Sequence, residues 1–347
     1  MDFSRTENAA TLQGDMRSHH EDFQVDEIPD FLPTGEGEHV CLKVRKTGQN
    51  TEWVGKQLAD IAGIARRDVS YAGLKDRHAV TTQWFSVWLP GQEAPNWSEH
   101  LPESIEILEE VRHHRKVRIG TLKGNRFKLI LRNCQGDRAQ LAETLAVIAT
   151  QGVPNYFGPQ RFGHEFHNIE RATLWFGSDI KPKARHQKKM YVSAARSLIF
   201  NQYLSHRVDT ACWNQALDGD VYQLEGTNSC FYEALDETIM QRVAEYDLHP
   251  TGPMWGAGAL MTHGNVRQLE QEIADTQTLL CQGLEKQGLK QDRRALRLMV
   301  GELGHQWLTE NCLELRFSLP PGSYATSVLR ELGEFRNVAE LNRAQPA

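Results

Sequence analysis

Alternating hydrophobicity is the feature that most constrains this chain, because it marks strands near both ends and is lost in between. Residues 126–132 place apolar side chains on one face of a predicted strand and mostly charged side chains on the other. Residues 312–319 alternate in the same way, although residues 155–300 before them are dominated by helical spacing. A single late strand cannot build a core alone, so we expect it to rejoin the early sheet, with the helical stretch as an insertion.

The first 150 residues mix strands with two helices. Strand-like patterns occur at 21–28, 40–44, 69–71, 84–88, 105–111, 116–122 and 126–132. Asn50 or Thr51 caps the first predicted helix, which ends at Gly63. Asp137 caps the second, which ends at Gly152. Because several strands are sequential neighbours, the predicted fold class is α+β with a mixed, largely antiparallel sheet.

The middle of the chain is predicted to form a separate, mostly helical domain. A short strand at 221–224 interrupts three helical segments, which are 191–207, 234–246 and 266–287. After the late strand, residues 322–332 indicate a turn into a capped helix. The predicted domains are therefore a sheet domain from residues 1–150 and 304–347, interrupted by an inserted domain from residues 151–303.

One loop between predicted strands carries a reactive set of side chains. In residues 73–83, Asp76 is flanked by Lys75, Arg77 and His78. Nearby cations favour the ionised form of a carboxylate, which suits a group that attacks an electrophile. The same cations could hold a phosphate close to it. On these residues alone, a solvated hairpin turn is the simpler interpretation, and the rest of the chain must decide.

Composition excludes several classes of protein. The chain has 347 residues, 40% hydrophobic and 24% charged, as an ordinary globular protein has. It lacks an apolar run of the ~18 residues that a membrane span needs, and its start lacks a signal-peptide pattern. Six cysteines lie far apart without a C-x-x-C pair. Neither a zinc site nor a disulfide framework is predicted, and a cytoplasmic location is expected.

The distribution of charge indicates a polyanionic partner more than the net charge does. A formal charge of −6 argues against a histone-like nucleic-acid binder. Basic residues are nevertheless clustered at 112–118, at 181–189, and at Arg293, Arg294 and Arg297. Each run could be a solvated face, which is the usual case. Three basic blocks interleaved with aromatic residues favour binding to a polyanion.

Three segments resemble other kinds of site and are rejected. Residues 164–167 read H-E-F-H, but the histidines are three apart rather than the four of a zinc peptidase helix. Residues 218–220 carry two aspartates where a turn is expected before a strand. Residues 255–258 lack the strand, helix and third glycine of a dinucleotide loop. The phosphate-binding and serine-hydrolase motifs are also missing from the sequence, so neither a metal nor a nucleotide cofactor is predicted.

Several of these stretches together resemble the tRNA pseudouridine synthase D (TruD) family. Four motifs carry the resemblance: E-D-F-x-V-x-E at 21–27, A-G-L-K-D-R-H-A-V-T at 72–81, the aromatic loop 154–163, and L-P-P-G-S-Y-A-T-S at 319–327. Similarity continues at 123–127 and 193–197. The motifs follow the family order and cover nearly the whole chain. The resemblance implies a catalytic sheet domain of pseudouridine synthase type with a TRUD-type inserted domain.

The resemblance also implies an activity and a set of site residues. It implies a pseudouridine synthase that isomerises uridine, at position 13 of tRNA, without a cofactor. The catalytic aspartate of the family falls on Asp76. Its substrate-binding positions fall on Phe23, Asn125, Phe127, Tyr324 and Arg17. Of these, Phe127 would stack on the target base and Arg17 would be the basic residue of the pocket. The family often has Phe where this chain has Tyr324, so the aromatic ring is kept.

One carboxylate suffices for this isomerisation, because no water or second nucleophile is consumed. The sequence leaves open whether Asp76 acts as a nucleophile or as a base, and whether His78 touches RNA. The target base must leave its stack, so aromatic platforms are expected beside the aspartate. On the residues alone, Phe127 is more simply a core residue and Asn125 a turn residue.

The expected partner is transfer RNA, with no membrane and no nucleotide cofactor, and a monomer is expected. Arg115, Lys116 and residues 181–189 would hold phosphates. Two other functions are weaker. One is an RNA-binding or RNA-folding protein whose catalysis is secondary or lost, and the intact Asp76 loop argues against loss. A glycosidase or nuclease would need two cooperating acids, whereas the sequence offers one in a suitable loop.

Overall fold

A computed structural model describes residues 3–178 and 181–344. Its strands, in chain order, are β1 Leu12–Met16, β2 Phe23–Pro29, β3 His39–Thr47, β4 Val69–Tyr71, β5 Val80–Trp88, β6 Ile105–His113, β7 Leu122–Gln135, β8 Val153–Pro154, β9 Val221–Leu224, β10 Cys230–Tyr232, β11 Leu248–Met254, β12 Asp292–Ala295, β13 Arg297–Leu298, β14 Gly301–Thr309, β15 Cys312–Leu319 and β16 Gly333–Asn337. Its helices are α1 Thr51–Ala62, α2 Arg138–Gln151, α3 His167–Gly177, α4 Arg185–Asp209, α5 Glu237–Ala244, α6 Gly264–Thr276, α7 Thr278–Lys286, α8 Ala325–Leu332 and α9 Val338–Ala344.

The chain divides into two compact units. The sheet unit comprises Thr11–Leu141, Val300–Gly322 and Gly333–Ala347, and the helical unit comprises Met1–Ala10, Ala142–Met299 and Ser323–Leu332. The helical unit therefore takes in α8 and the first residues of the chain, besides most of the segment from 151 to 303. The division into a catalytic and an inserted domain stays a prediction about function.

The sheet unit is built on a 10-stranded sheet with the order β14-β15-β7-β2-β5-β3-β6, joined by β1, β16 and β4. The pairs β2–β5 and β1–β16 are parallel, and the other pairs in this sheet are antiparallel. The predicted α+β class with a mixed, largely antiparallel sheet is thus confirmed. The late strand does rejoin the early sheet, because β15 pairs with β7 and places Phe317 opposite Phe127.

Helix ends in the sheet unit follow the predicted caps. The Asn50 side chain accepts a hydrogen bond from the amide of Glu52, and Gly63 ends α1 in the left-handed conformation at φ 64°. Asp137 accepts from the amide of Ala139 at 2.8 Å, at the start of α2. Helix α1 buries its apolar face, which includes Val54, against the sheet. Each such Val or Leu contributes roughly 1.5–3 kcal/mol.

One predicted strand does not form, and one predicted helix is divided in two. Residues 116–122 do not form a strand; β7 begins only at Leu122. Gly120 adopts φ 90° there, and Thr121 donates to the carbonyl of Arg118 at 2.6 Å, so the segment turns instead of extending. The predicted helix 266–287 is two helices, because Gln277 between α6 and α7 has a non-helical backbone at φ −121° and ψ 31°.

Strands β1, β14 and β16 were not predicted, because their sequences lack a clear apolar face. Strand β14 reads G-E-L-G-H-Q-W-L-T and is exposed along most of its length. Strand β1 reads L-Q-G-D-M, and tertiary pairing with β7 and β16 overrides its weak propensity. This matters for the site, since β1 leads directly into Arg17.

The helical unit packs α3, α6 and α7 around the long helix α4 and carries a 4-stranded sheet in the order β10-β9-β11-β12. That sheet was only partly predicted, through the strand at 221–224. The two aspartates before β9 form the predicted turn, with Gly219 at φ 95°. Asp220 is not a metal ligand candidate, because it forms a fully buried ion pair with Arg207 at 2.8 Å.

Two arginines of the third basic block face inward, so they form neither the solvated face nor the polyanion contact that the run left open. Arg293 forms a buried ion pair with Glu270 at 2.7 Å. Arg297 donates to the carbonyl oxygens of Val243 and Leu248, both at 2.9 Å. These two arginines satisfy internal partners and stabilise the helical unit. The charge of a run therefore did not reveal which way its side chains point.

Candidate active site

The loop that carries Asp76 opens where two strands meet along one edge of β5. Strand β3 pairs with the whole of β5, so β2 and β4 share the opposite edge. Strand β4 pairs antiparallel with the second half of β5, and β2 pairs parallel with its first three residues. The chain leaves β4 after Tyr71 and re-enters the sheet at Val80. The loop is thus presented beside β2, which a two-strand hairpin would not achieve.

Buried polar side chains fix the backbone of this loop from below. The amide of Lys75 donates to the hydroxyl of Thr51 at 3.0 Å, and that hydroxyl donates to the Gln83 side chain at 3.0 Å. Gln83 in turn donates to the carbonyl of Gly73 at 3.0 Å. Thr51 and Gln83 are both about 1% exposed. The loop is therefore held by helix α1 and strand β5 together, which a solvated hairpin turn would not need.

The Asp76 carboxylate has a donor on each oxygen. Arg17 lies 2.6 Å from Oδ2, and the amide of His78 donates to Oδ1 at 3.0 Å. The side chains of Arg17 and Asp76 are 11% and 27% exposed, so the ion pair is partly shielded from water while the carboxylate remains accessible. Charge-assisted hydrogen bonds of this kind are roughly twice as strong as neutral ones. The carboxylate is oriented by these two donors and open to a ligand.

Arg17 itself is held in an unusual conformation. Its backbone has φ 59°, a left-handed value that costs a non-glycine residue energy. Its guanidinium lies over the ring of Phe23, 4.0 Å from the centroid, in a cation–π contact. Of the predicted substrate-binding residues, Arg17 thus contacts Asp76 directly, and Phe23 contacts Arg17.

A second ion pair lies on the other side of the loop. The ammonium of Lys75 lies 3.1 Å from Glu27 and donates to the side-chain oxygen of Asn125 at 2.8 Å. Glu27 and Asn125 face each other across β2 and β7. Burial raises the pKa of Glu27, and the charge of Lys75 opposes that rise. Lys75 therefore anchors the predicted substrate residue Asn125 to the loop. Glu27 was part of a recognised motif but was not predicted as a site residue.

Lys46 is a further charged residue at the loop, and it was not predicted as a site residue. It is 0% exposed, and its ammonium donates to the carbonyl of Asp76 at 3.0 Å and to that of Gln49 at 2.7 Å. Burial lowers the pKa of Lys46 to about 8. One signal was available, since Lys46 continues the parity of the inward-facing Val44 on β3.

Aromatic rings line the sheet next to the loop. Phe127 stacks on Phe317 with centroids 5.3 Å apart and meets Phe23 edge-on at 6.3 Å. Phe127 is 8% exposed and Phe23 is 5% exposed. Phe127 thus occupies a core position in the sheet, as its alternation suggested, between Phe317 and the Phe23 ring that Arg17 covers. Whether it also stacks on a base stays a prediction.

Tyr324 lies in the helical unit, so its predicted contact with substrate beside Asp76 also stays a prediction. Its hydroxyl accepts a hydrogen bond from Arg161, and its ring meets Phe157 edge-on with centroids 6.0 Å apart. Arg161 also donates to Ser193 at 2.7 Å. These residues belong to motifs that resemble the family, and they form one cluster of arginine and aromatic side chains.

Exposed basic residues remain in two of the predicted blocks. Arg115 and Lys116 are exposed in the segment before β7. Five more basic residues are exposed around the start of α4: Lys181, Lys183, Arg185, Lys188 and Lys189. Across residues 3–178 and 181–344, side chains of His, Cys, Asp and Glu do not gather in any group of three that could hold a metal ion. In the same ranges, every helix is too short or too polar to cross a bilayer.

Comparison with known proteins gives one consistent result. The family model for tRNA pseudouridine synthase D (TruD) matches residues 4–173 and 180–332. The tRNA pseudouridine synthase D of Hydrogenovibrio crunogenus is 47% identical over 334 residues, covering 96% of this chain and 95% of that protein. The one from Methylococcus capsulatus is 46% identical over 335 residues, with the same coverage of 96% and 95%.

A crystal structure assigned to the same family has the same fold. The Methanosarcina mazei protein superposes with a TM-score of 0.72 at 22% identity, covering 94% of this chain and 95% of that chain. At that identity, the likeness shows the fold alone. The fold and the sequence matches place the chain among the RNA pseudouridine synthases, which are isomerases. Within that class, the chain belongs to the tRNA pseudouridine synthase D (TruD) family.

Proposed function

We propose that this chain converts uridine to pseudouridine in transfer RNA, at position 13, and that Asp76 is the catalytic group. The observation that carries the proposal is the Asp76 carboxylate, held 2.6 Å from Arg17 on a loop that buried side chains fix from below. The test is release of tritium from C5-labelled uridine in a tRNA transcript. A protein that binds the transcript but releases no tritium would be an RNA-binding protein instead.

The reaction fits a site with one accessible carboxylate. The N1–C1′ bond breaks, the uracil turns, and C5 bonds to C1′ before its proton leaves. No water enters the product, so a second carboxylate that activates water is not required. Asp76 serves as the nucleophile or as the base in this scheme. Glu27 does not supply a second acid, because its side chain is 0% exposed and paired with Lys75.

Asn125 is proposed to bind the uracil. Its side-chain oxygen accepts from Lys75, so the amide nitrogen is the end that faces a ligand. A uracil carbonyl is an acceptor, and it therefore matches the available donor. Lys75 sets this orientation, which supports a positioning role for Lys75 beside the catalytic Asp76.

Aromatic contacts complete the proposed pocket. Phe23 and Phe127 are proposed to flank the flipped base, since base-flipping enzymes stack the extruded base on aromatic side chains, and Tyr324 of the helical unit is proposed to contact the same RNA. For Phe23, support comes from the cation–π contact with Arg17. For Tyr324, it comes from the motif at 319–327.

A cytoplasmic monomer is part of the same proposal, and the six free cysteines support a reducing compartment.

Phe127→Leu separates a stacking role from a core role. Leucine keeps most of the volume, so the expected loss of stability is less than about 1.5 kcal/mol. Loss of a base stack of about 1–3 kcal/mol predicts a fall in kcat/KM of roughly 5-fold to 150-fold. Phe317→Leu is the matched control, because Phe317 stacks on Phe127 and is 2% exposed. Turnover that falls equally in both variants, in step with the melting temperature, would assign Phe127 to the core alone.

The exposed block at the start of α4 is proposed to bind phosphates. Replacing Lys183, Lys188 and Lys189 with Gln is expected to flatten the dependence of log Kd on log salt by about 0.7–0.9 for each phosphate that the block no longer neutralises. Filter binding of the tRNA at several salt concentrations measures this slope. Lys286→Gln removes an exposed charge at the end of α7 and serves as the control. An unchanged slope in the triple variant would remove this block from the RNA-binding surface.

A further inference from the structure

We propose that Lys46 is a positioning residue for the reaction, whose buried ammonium holds the backbone of Asp76 in place and adds positive charge behind its carboxylate. This inference rests on the proposed function, because it acts through Asp76. It concerns a residue on β3 that no recognised motif includes.

The contacts of Lys46 tie two segments together. Its ammonium bridges the carbonyl of Asp76 at 3.0 Å and the carbonyl of Gln49 at 2.7 Å. The next bond along the same turn also reaches the loop, because the amide of Gly48 donates to the carbonyl of Ala79 at 3.2 Å. The end of β3 and the turn after it therefore contact the loop at two points, the carbonyl groups of Asp76 and Ala79. The carbonyl of Asp76 belongs to the residue whose carboxylate must be aimed.

A neutral residue would be the simpler occupant of this position. Lys46 lies on the inward face of β3, where the alternating pattern calls for an apolar side chain. Burying an ammonium costs several kcal/mol unless partners compensate. Two carbonyl oxygens compensate directly, and the negative charge of Asp76 also favours the charged form. The ammonium of Lys46 and the carboxylate of Asp76 are therefore coupled electrostatically.

The surrounding charges define how this coupling responds to pH. Burial is the largest influence and lowers the pKa of Lys46 to about 8; Asp76 opposes that shift and Lys75 adds to it. Arg17 faces Asp76 from the end of β1. The imidazoles of His20 and His78 also lie at the loop, 6.0 Å apart between centroids.

Activity and stability are expected to move in opposite directions as Lys46 loses its proton. The folded state releases the proton near pH 8, whereas the unfolded chain keeps it up to about 10.5. Between those values the unfolded state binds more protons, so this group makes the fold more stable as pH rises. Turnover is expected to fall over the same range, because the positive charge behind Asp76 is lost. Destabilisation by this group therefore cannot account for the loss of turnover, and the melting temperature measured at each pH checks the fold as a whole.

The test compares kcat from about pH 7 to pH 9 in wild type, Lys46→Gln and Lys46→Arg. Glutamine can donate to both carbonyls without charge, and it is expected to lower kcat about ten-fold at pH 7 with a flat profile and a nearly unchanged KM. Arginine keeps the charge and is expected to retain turnover at pH 9 better than wild type. Lys43→Gln on the same strand is the control and should keep the wild-type profile.

Two results would overturn the proposal. One is a wild-type kcat that does not change between pH 8 and pH 9; this measurement does not depend on whether any variant folds. The other is a Lys46→Gln enzyme that has a lower melting temperature but the wild-type kcat and pH profile, which would make Lys46 structural only. The variant Asp76→Asn separates failure of the proposed function from failure of this inference. If Asp76→Asn keeps its turnover, the catalytic role of Asp76 is refuted. If Asp76→Asn is inactive but Lys46→Gln behaves as wild type does, only the role of Lys46 is refuted.

Discussion

Asp76→Asn is expected to lower release of tritium from C5-labelled tRNA by about 10²-fold to 10⁴-fold, with the affinity for tRNA nearly unchanged. Asparagine fills the same space and can still accept a hydrogen bond from the amide of His78, as the aspartate does at 3.0 Å. It cannot act as a nucleophile or a base, and it removes the charge that faces Arg17 at 2.6 Å. The chemical step should therefore fail while the fold persists.

The control for this variant is Asp26→Asn, which removes a carboxylate exposed on the neighbouring strand β2. It should leave turnover within a factor of about two, because exposed surface changes rarely exceed about 0.5 kcal/mol. Substantial tritium release by Asp76→Asn would contradict the assigned role. Absence of release by the wild type, with tRNA still bound, would instead favour an RNA-binding function.

Arg17→Met is expected to lower kcat by roughly 10-fold to 150-fold. The Arg17–Asp76 pair is partly buried, and a hydrogen bond to a charged group contributes about 1.5–3 kcal/mol. Methionine keeps an unbranched side chain over the ring of Phe23 but leaves the carboxylate without its cation. A single-turnover assay separates the chemical step from product release and measures this loss directly.

Arg17→Lys and Arg77→Met give this prediction its controls. Lysine restores the charge but not the planar fork, so partial recovery is expected. Arg77 is exposed next to Asp76, and its replacement should have a smaller effect on kcat. If Arg77→Met impaired the chemical step as much as Arg17→Met, general positive charge at the loop would be sufficient, and the specific ion pair would not matter.

Local sequence signals predicted much of the sheet unit. The cap at Asn50 and the left-handed end of α1 at Gly63 depend on neighbours in sequence, so they could be predicted. The return of β15 to the early sheet could also be predicted, since a lone amphipathic strand needs a partner. Strand β1 could not, because its place beside β7 and β16 depends on residues more than 100 positions away.

The site residues also differ in whether local sequence signals could predict them. Asp76 was identified from its loop and from the family resemblance, and Arg17 only from the resemblance, because a lone arginine after an irregular segment carries no local signal. Lys46 was missed, although its parity on β3 placed a charge on the inward face. The basic run that ends at Arg297 gave no sign that this side chain is buried, because packing rather than composition sets burial. Tertiary contacts, which local sequence patterns do not show, place Arg17, Lys46 and Arg297.

The pairing of β15 with β7 has a consequence for how the enzyme is made. Strand β7 ends at Gln135 and β15 begins at Cys312, so a ribosome synthesises the whole intervening segment before β7 gains this neighbour. Until then, one edge of β7 offers unpaired backbone groups to other chains, on the strand that carries Phe127 and Asn125. Such distant pairings slow folding and lengthen the time spent exposed to aggregation. Asp76 is synthesised before this pairing can form, so its sheet cannot be complete until β15 has been made.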